Sequence, residues 1–508
     1  MSNNMRISGL ASGMDIDKMV SDLMKAERQP LDKLTQKKQI LEWQRDGYRD
    51  MNKTLKELDD LIFTGVGRQG NFLTKKVTST NEAAVTATAS GLSGNTSAQI
   101  SVSQLAEIST GISGTLSADP NAKIDPTKPL DQAGTFRDNS FGTSFELKVF
   151  QPDGTFKNLK FDIDPSKDSL NDIFKKINDS GLGVTAFYDS QTDKVSISTK
   201  QTGDNKNGAE IELVSETGGN FFTKTLGFTS TAIANTGKNA AFTINGLATE
   251  RTTNTFTISN ITYTLKQANS TATITTTTDT DSIFNTIKNF VDKYNEVIGK
   301  VNDKISEKRY RDYPPLTSEQ RKEMSDKEAE LWDEKAKSGM LSGDSILSTG
   351  LAQLRRDIYS SVNTGNKEMN QLAQIGIKTT SDYLANGKLE IDETKLRDAI
   401  AKDPESVMKL FANSGTTYED KGIAYRMRDS IDATMAKVEL KAGKSYSTNQ
   451  QFTIGKNLID VDKRISDLQE RLKDTEDRYY RQFTAMETAI QRANQQSAYL
   501  MQQFGGGQ

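Results

Sequence analysis

Neither cysteine nor histidine occurs among the 508 residues. Without cysteine there is no disulfide, no thiolate metal site and no thiol nucleophile. Without histidine the usual general base near neutral pH and the commonest metal ligand are also gone. Together these absences exclude most hydrolase, protease and zinc chemistry. Carboxylate-only chemistry, such as glycoside hydrolysis by two acids, survives. Tryptophan is scarce: Trp43 and Trp332 are the only two, both in helical, charged surroundings that suit packing anchors better than a sugar-binding platform. No stretch approaches the roughly 20 apolar residues of a membrane span. The opening MSNNMRISGLASGMDIDKMV has no apolar h-region and does not read as a cleaved secretory signal. An excess of one charge is missing too, with 65 basic residues against 68 acidic ones and a net charge of -3. Electrostatics therefore gives no reason to propose nucleic acid or an anionic membrane as a partner.

What is present changes character twice, and the length calls for three or four compact units. Residues 14–64 read as helix, with Asp15 or Asp17 suited to cap its start. Leu34, Leu41, Tyr48, Leu55 and Ile62 recur every seventh residue, and Met51 and Leu58 fill the later alternate positions of the seam. The earlier alternates, Lys37 and Gln44, are polar, so the seam is good only in its second half. Pro30 is expected to break or kink this helix, because it removes a donor and clashes with the preceding turn.

From about Lys75 to Thr280 the chain is rich in Thr, Ser and Val. VTATAS, AQISVSQL, FELKVF, KVSIST, AFTING, TFTISN and ITYTLK read as strands bounded by turn residues. One amphipathic helix at 170–178 interrupts them, with Leu170, Ile173, Phe174 and Ile177 on one face. The region reads as two small, mostly β units, and the Thr run at 271–280 is either a final strand or a linker.

Helix returns after Asp281 with Ile283, Ile287, Phe290, Val291, Tyr294 and Val297. The charged stretch 304–337, with Pro314 and Pro315, reads as a loop followed by a solvated helix. The last segment carries the clearest pattern. Leu458, Ile465, Leu472, Tyr479, Met486, Ala493 and Leu500 are spaced by sevens, with Ile454, Val461 and Leu468 at the other seam position. That second position turns polar at Thr475, Gln482, Gln496 and Gln503. A helix of roughly 45 residues extends about 65 Å and needs a partner along much of its length. The N-terminal helix is the obvious one.

The expected fold class is α+β and multidomain: terminal helices form a coiled-coil or helical stem, and a β-rich two-unit head is inserted in mid-chain. In domains, 1–42 and 460–508 form terminal helical legs, and 43–76 with 280–459 the helical stem. Residues 77–110 with 235–279 form one β-rich head domain, and 111–234 a second inserted in the first.

Some short motifs look chemical. Gly65, Gly67 and Gly70 spell GxGxxG, but they follow a helix and precede an extended run, the reverse of the dinucleotide-binding context. They read as a helix end and hinge, with Pro30 as a second hinge. Gly343-Asp344-Ser345-Ile346-Leu347 resembles an esterase nucleophile block that lacks its histidine base, and it reads instead as a capped helix start. The pairs Asp162/Asp164 and Asp279/Asp281 are too sparse for a calcium loop. No catalytic, cofactor-binding or metal-binding residue is expected, and the chain reads as not an enzyme.

Three blocks together resemble the flagellar hook-associated protein 2 family, the filament caps. The first is Ile7-Ser8-Gly9-Leu10-Ala11-Ser12-Gly13-Met14-Asp15, with Val20, Glu27-Arg28-Gln29-Pro30-Leu31 and then Val102, Leu105 and Ala106. The second is Phe242-Thr243-Ile244-Asn245-Gly246 with Ile261-Thr262-Tyr263-Thr264-Leu265, similar to the hairpin motif of flagellar axial proteins. The third is Ser342-Gly343-Asp344-Ser345, Ile375-Gly376-Ile377, Gly387-Lys388-Leu389-Glu390-Ile391-Asp392 and Val407 to Phe411. The resemblance spans nearly the whole chain and is weakest in the β region and at 304–337.

The resemblance implies a structural protein, exported unfolded by the flagellar type III system without a cleaved signal, that stands extracellularly at the distal tip of the filament. It implies a homo-oligomeric ring, commonly a pentamer, that promotes ordered incorporation of flagellin. The implied partners are flagellin, hook–filament junction proteins and a cytosolic export chaperone on the C-terminal helix, with no nucleic acid, membrane or cofactor. A secondary role in adhesion is compatible with an exposed tip. The alternatives are flagellin or another hook-associated protein, which share the hairpin, and a secreted carbohydrate-active enzyme or adhesin built on the β-rich middle.

Overall fold

The computed structural model describes residues 13–505 except 152, 207 and 383–384, so residues 7–12 of the first block lie outside the described residues. In chain order the elements are α1 (Ile16–Thr64), then β1 (Lys75–Ser79), β2 (Val85–Ala89), β3 (Thr96–Gln104) and β4 (Ile108–Ile112). There follow β5 (Phe141–Phe150), β6 (Phe156–Asp162), α2 (Leu170–Asp179), β7 (Val184–Asp189), β8 (Lys194–Thr202), β9 (Ile211–Gly219) and β10 (Ala232–Ala234). Next come β11 (Ala240–Ile244), β12 (Leu247–Arg251), β13 (Thr255–Ile258), β14 (Ile261–Leu265) and β15 (Ser270–Thr278). The chain closes with α3 (Thr280–Ser306), α4 (Ser318–Lys322), α5 (Asp326–Lys337), α6 (Ser345–Tyr359), β16 (Ile377–Thr379), β17 (Leu389–Ile391), α7 (Glu393–Lys402), α8 (Pro404–Ala412), α9 (Ile423–Ala442) and α10 (Thr453–Phe504). It divides into a helical unit, 1–72 with 280–508, and a β-rich unit, 73–279.

In the helical unit, α1 starts where the Asp15 carboxylate accepts from the Lys18 amide at 2.9 Å. It stops at two glycines whose amides close the last turn, Gly65 onto the Leu61 carbonyl and Gly67 onto that of Ile62, both at 2.8 Å. A Cβ on Gly65 would stand 2.7 Å from the Leu61 oxygen, so the approach needs glycine. The expected break at Pro30 does not occur, because the helix runs through it. Pro30 and Ala26, whose carbonyl loses its donor, both lie on the exposed side, where water satisfies the freed oxygen.

The C-terminal half of α1 buries Tyr48, Met51, Leu55, Leu58 and Ile62 and packs on α9 and α3. A buried ion pair crosses this packing: the Asp59 carboxylate accepts from Arg428 on α9 at 2.7 Å and from Lys56 at 3.0 Å. Arg426, 1 % exposed, donates to the carbonyls of Tyr418, Ser360, Ser361 and Glu419 at 2.7–3.2 Å. Asp357, fully buried, accepts from Ser430 Oγ, Tyr418 OH and Gln353 Nε2 at 2.5–3.0 Å. Each of these three buried charges is thus satisfied by hydrogen bonds, as burial demands.

The β-rich unit holds two separate cores. The first lies between a five-stranded sheet of order β1-β15-β3-β11-β12 and a three-stranded one of order β13-β14-β2, filled by residues such as Ile100, Phe242, Tyr263 and Ile274. The Thr run is settled as strand β15, every second residue of which (Ala272, Ile274, Thr276) is buried. The second core joins the sheets β10-β9-β5-β6 and β4-β8-β7 to α2, with Phe145 stacked on Phe161 and Phe221. Strands β1, β4, β6, β7, β9, β10 and β12 of this unit are absent from the sequence reading; most are short or carry few large apolar side chains.

The hairpin motif joins β11 to β12 by two residues, Asn245 and Gly246, at φ 49° and 82°. Both stand in the left-handed region that a tight hairpin matching strand twist requires. Asn245 also exchanges two 2.9 Å bonds with Gln99 of β3, its amide donating to the carbonyl and its Oδ1 accepting from the amide.

Asn245→Ala should destabilise the β-rich unit by about 1–3 kcal/mol through the lost bond and the strained φ, while Asn245→Asp stays near wild type; thermal melts followed by β-sheet circular dichroism decide it. Acid sensitivity tests the second case. Burial pushes Asp59 upward, but the hydrogen bonds and charges of Arg428 and Lys56 outweigh it and its pKa is lowered overall. A lowered carboxylate contributes stability above its unfolded value, about 3.9, that is lost as pH falls through the folded value. Asp59→Asn should therefore lose about 1.5–3 kcal/mol at pH 7 and show a smaller further loss below pH 4 than wild type; parallel denaturant titrations at pH 7 and pH 3 measure both.

Candidate assembly surface

The first half of α1 and the middle of α10 lie antiparallel. Lys38 meets Asp462 at 2.7 Å, the Tyr479 hydroxyl donates to Glu27 at 2.9 Å, and that of Tyr480 donates to Asp17 at 3.1 Å. Between these polar pairs runs a thin apolar seam of Ile16, Val20, Met24 and Leu472, flanked by Leu31, Leu468, Tyr479, Tyr480 and Phe483. At the other end, Arg49 donates to the Ala442 and Gly443 carbonyls at 3.1 and 3.3 Å and covers the Phe452 ring, fixing the turn from α9 into α10.

Along the two long helices the sequence-derived positions fall into three groups. Tyr48, Met51, Leu55, Leu58, Ile62, Leu458, Val461 and Leu472 are buried. Leu34, Leu41, Ile465, Leu468, Tyr479 and Met486 are half-buried, and Leu500 is exposed. The heptad reading overlooked Ile16, Met24, Tyr480 and Phe483; the spacing of Ile16, Val20 and Met24 by fours was the signal that would have found them.

Beyond Met486 the geometry changes. The described part of α1 begins level with Tyr480 and Phe483, yet α10 continues to Phe504, about 30 Å further. Every described residue from Gln491 onward is exposed, including Tyr499 at 64 %, Met501 at 75 % and Phe504 at 83 %. An exposed apolar stripe of this length marks an interaction surface.

The chemical-looking motifs resolve as structure. The three glycines end α1 and lead into a 3-10 turn at Gln69–Phe72; no break separates them from the packed helix before them. Asp344 caps α6 by accepting from the Ile346 and Leu347 amides at 3.1 and 3.0 Å, and it is also the acceptor of the Tyr48 hydroxyl. Burial and that bond push the Tyr48 hydroxyl well above its ordinary pKa. Asp164 closes a turn on Ser166 and Lys167, and Asp281 pairs with Arg397 at 2.6 Å. Trp332 donates to the Pro314 carbonyl at 2.7 Å and packs on Tyr313. Among the described residues no group of three or more acidic side chains is placed to hold a metal ion, and no helix is long and apolar enough to cross a membrane.

Comparison with known proteins adds an independent line. Residues 237–495 match the family model described as flagellar hook-associated protein 2 C-terminus, and residues 12–109 match that of the N-terminus. Flagellar hook-associated protein 2 of Halalkalibacterium halodurans is 40% identical over 98% of this chain and 100% of its own length. That of Thermotoga maritima is 26% identical over 75% of this chain and 58% of its own. Among solved structures, the D1-D2-D3 domains of the flagellar cap protein FliD from Escherichia coli superpose with a TM-score of 0.57 at 22% identity, covering 82% of this chain and 99% of that one, a likeness of fold.

Leu472→Ala should loosen the α1–α10 seam by about 2–4 kcal/mol, whereas Leu500→Ala should leave the isolated chain's stability within about 0.5 kcal/mol. Hydrogen exchange of α10 separates the two: faster exchange across 465–485 is expected in the first variant only.

Proposed function

The chain belongs to the flagellar hook-associated protein 2 family, and from that premise we propose that it caps the distal end of the flagellar filament as a closed ring of its own copies. In this reading the ring, five copies being the expected number, holds exported flagellin at the growing end and promotes its ordered insertion. The chain reaches the tip through the flagellar type III system. The observation that carries the mechanism is the end of α10, a stretch of about 30 Å on which Tyr499, Leu500, Met501 and Phe504 are exposed.

Several features support a division of labour. The α1–α10 seam is thin and bounded by polar pairs (Lys38–Asp462, Glu27–Tyr479), so it parts at modest cost. The packing of α1 on α3 and α9 is thick and apolar by comparison. We read 1–42 and 460–508 as legs that make and release contacts with flagellin and the junction proteins. No helix break marks the start of either leg, since α1 and α10 run through residues 42 and 460; the change is in how well each helix is covered. Before export, the same exposed stripe suits a cytosolic chaperone that shields it. A catalytic role finds no support in the arrangement of the acidic pairs.

Removing residues 486–508 tests the reading without touching the Leu472 cluster. The shortened protein should melt like the full chain, and cells carrying it should make stunted filaments and shed flagellin into the medium. Filaments of normal length would defeat the proposed role of α10.

A further inference from the structure

The chain passes between the two β cores twice, after Ala106 and again between Ala234 and Ala240. The two crossings are tied together: Glu107 and Lys238 exchange backbone bonds at 2.9 and 3.3 Å, and the Gly203 amide donates to the Glu107 carbonyl at 3.0 Å. Against this tie lies Glu210, 2 % exposed. Its backbone is fixed just before β9, the amide donating to the Ala234 carbonyl at 2.9 Å and the carbonyl accepting from the Phe150 amide at 2.8 Å.

The Glu210 carboxylate is only half satisfied. Oε1 accepts from the Asn205 amide at 3.3 Å, whereas Oε2 is buried and meets no donor among the described residues. A bare buried carboxylate oxygen is costly and calls for a partner. The lysines of this region are spent on other acids, Lys238 on Glu107 at 2.9 Å and Lys206 on Glu250.

What faces Glu210 is a second acceptor. A Cβ placed on Gly237 would stand 2.2 Å from the Gly203 carbonyl oxygen and 3.2 Å from the Glu210 carboxyl carbon. Gly237 keeps this space clear, and a carbonyl and a carboxylate converge on it. Asp204 follows directly. Asn239 clamps its backbone, accepting from the Asp204 amide at 2.9 Å and donating to its carbonyl at 3.2 Å. The Asp204 Oδ1 accepts from the Lys206 amide at 2.7 Å, and the amide before that one serves Glu210. Both acids therefore gather on one short stretch of backbone, and oxygens converging in this way need a donor or a cation between them.

We propose that Glu210 and the Gly203 carbonyl, with Asp204 beside them, form a site for a hard divalent cation. Calcium fits best, because it accepts carboxylate, carbonyl and water oxygens in irregular geometry, whereas magnesium demands a near-octahedral shell and dehydrates reluctantly. An ion held there joins the start of β9 to the crossing at Gly237 and stiffens the passage between the two cores. The inference is independent of the capping reading.

Calorimetric titration and thermal melting of the full chain test it, with CaCl2 compared against NaCl of equal ionic strength. The wild type should bind one calcium per chain with a Kd of about 0.1–1 mM. In about 10 mM CaCl2 its β-rich unit should melt about 3–8 °C higher than in NaCl. Glu210→Gln keeps the shape, removes the charge and offers an amide hydrogen to the Gly203 carbonyl. It should lose the calcium response and melt, without calcium, no lower than wild type. Asp204→Asn should weaken binding about tenfold through the lost ligand charge. A wild type that takes up no calcium and melts equally in both salts would overturn the site, and so would a Glu210→Gln chain that binds calcium as tightly as wild type. An unchanged affinity in Asp204→Asn would strike Asp204 from it.

Discussion

A helix of about fifty residues has to be covered along most of its length, and this chain meets that requirement with its own two ends. α1 and α10 are each about 75 Å long, and neither carries enough apolar surface to stand alone. Where α1 meets α3 and α9 the cover is deep; where it meets α10 it thins to four buried residues and a fringe of tyrosines. The location of the β-rich unit follows from the same arrangement, because a chain whose ends must pair leaves its middle free to form an insertion.

The gradient in cover gives the helical unit two mechanical grades. Near Leu58 and Ile62, both fully buried, parting the helices would expose apolar surface worth roughly 1.5–3 kcal/mol per side chain. Near Tyr480 and Phe483 it would expose rings that are already half exposed. The first grade suits a lasting contact and the second a contact that is made and released.

Much of this was legible from residue spacing. Sevenfold repeats located both long helices, because a stripe must recur near 3.5 residues to keep facing one partner. Asn245-Gly246 announced its hairpin, because the required φ values admit few residues. Three features did not come through. Pro30 reads as a break locally, but exposure lets water replace the missing donor. The strand at 108–112 is hidden because its inward positions are Ser109 and Gly111, which carry no apolar signal. The thin seam at Ile16, Val20 and Met24 depends on aromatic residues more than 450 positions away, and periodicity within one segment is blind to its partner's register. The family blocks compensated for this, since they encode the tertiary arrangement that short windows lose.

The β-rich unit begins on β1 and ends on β15, and these strands are antiparallel neighbours with Lys75 opposite Thr278. Entry and exit are thus one strand spacing apart, roughly 5 Å. An insertion anchored in this way behaves as a cassette: the helical unit registers only two adjacent attachment points, whatever lies between them. Lineages are free to lengthen, shorten or replace some two hundred residues here without refitting α1 against α3 and α9. Sequence change should concentrate in this middle segment, while the paired ends stay under the geometric constraint of their mutual fit.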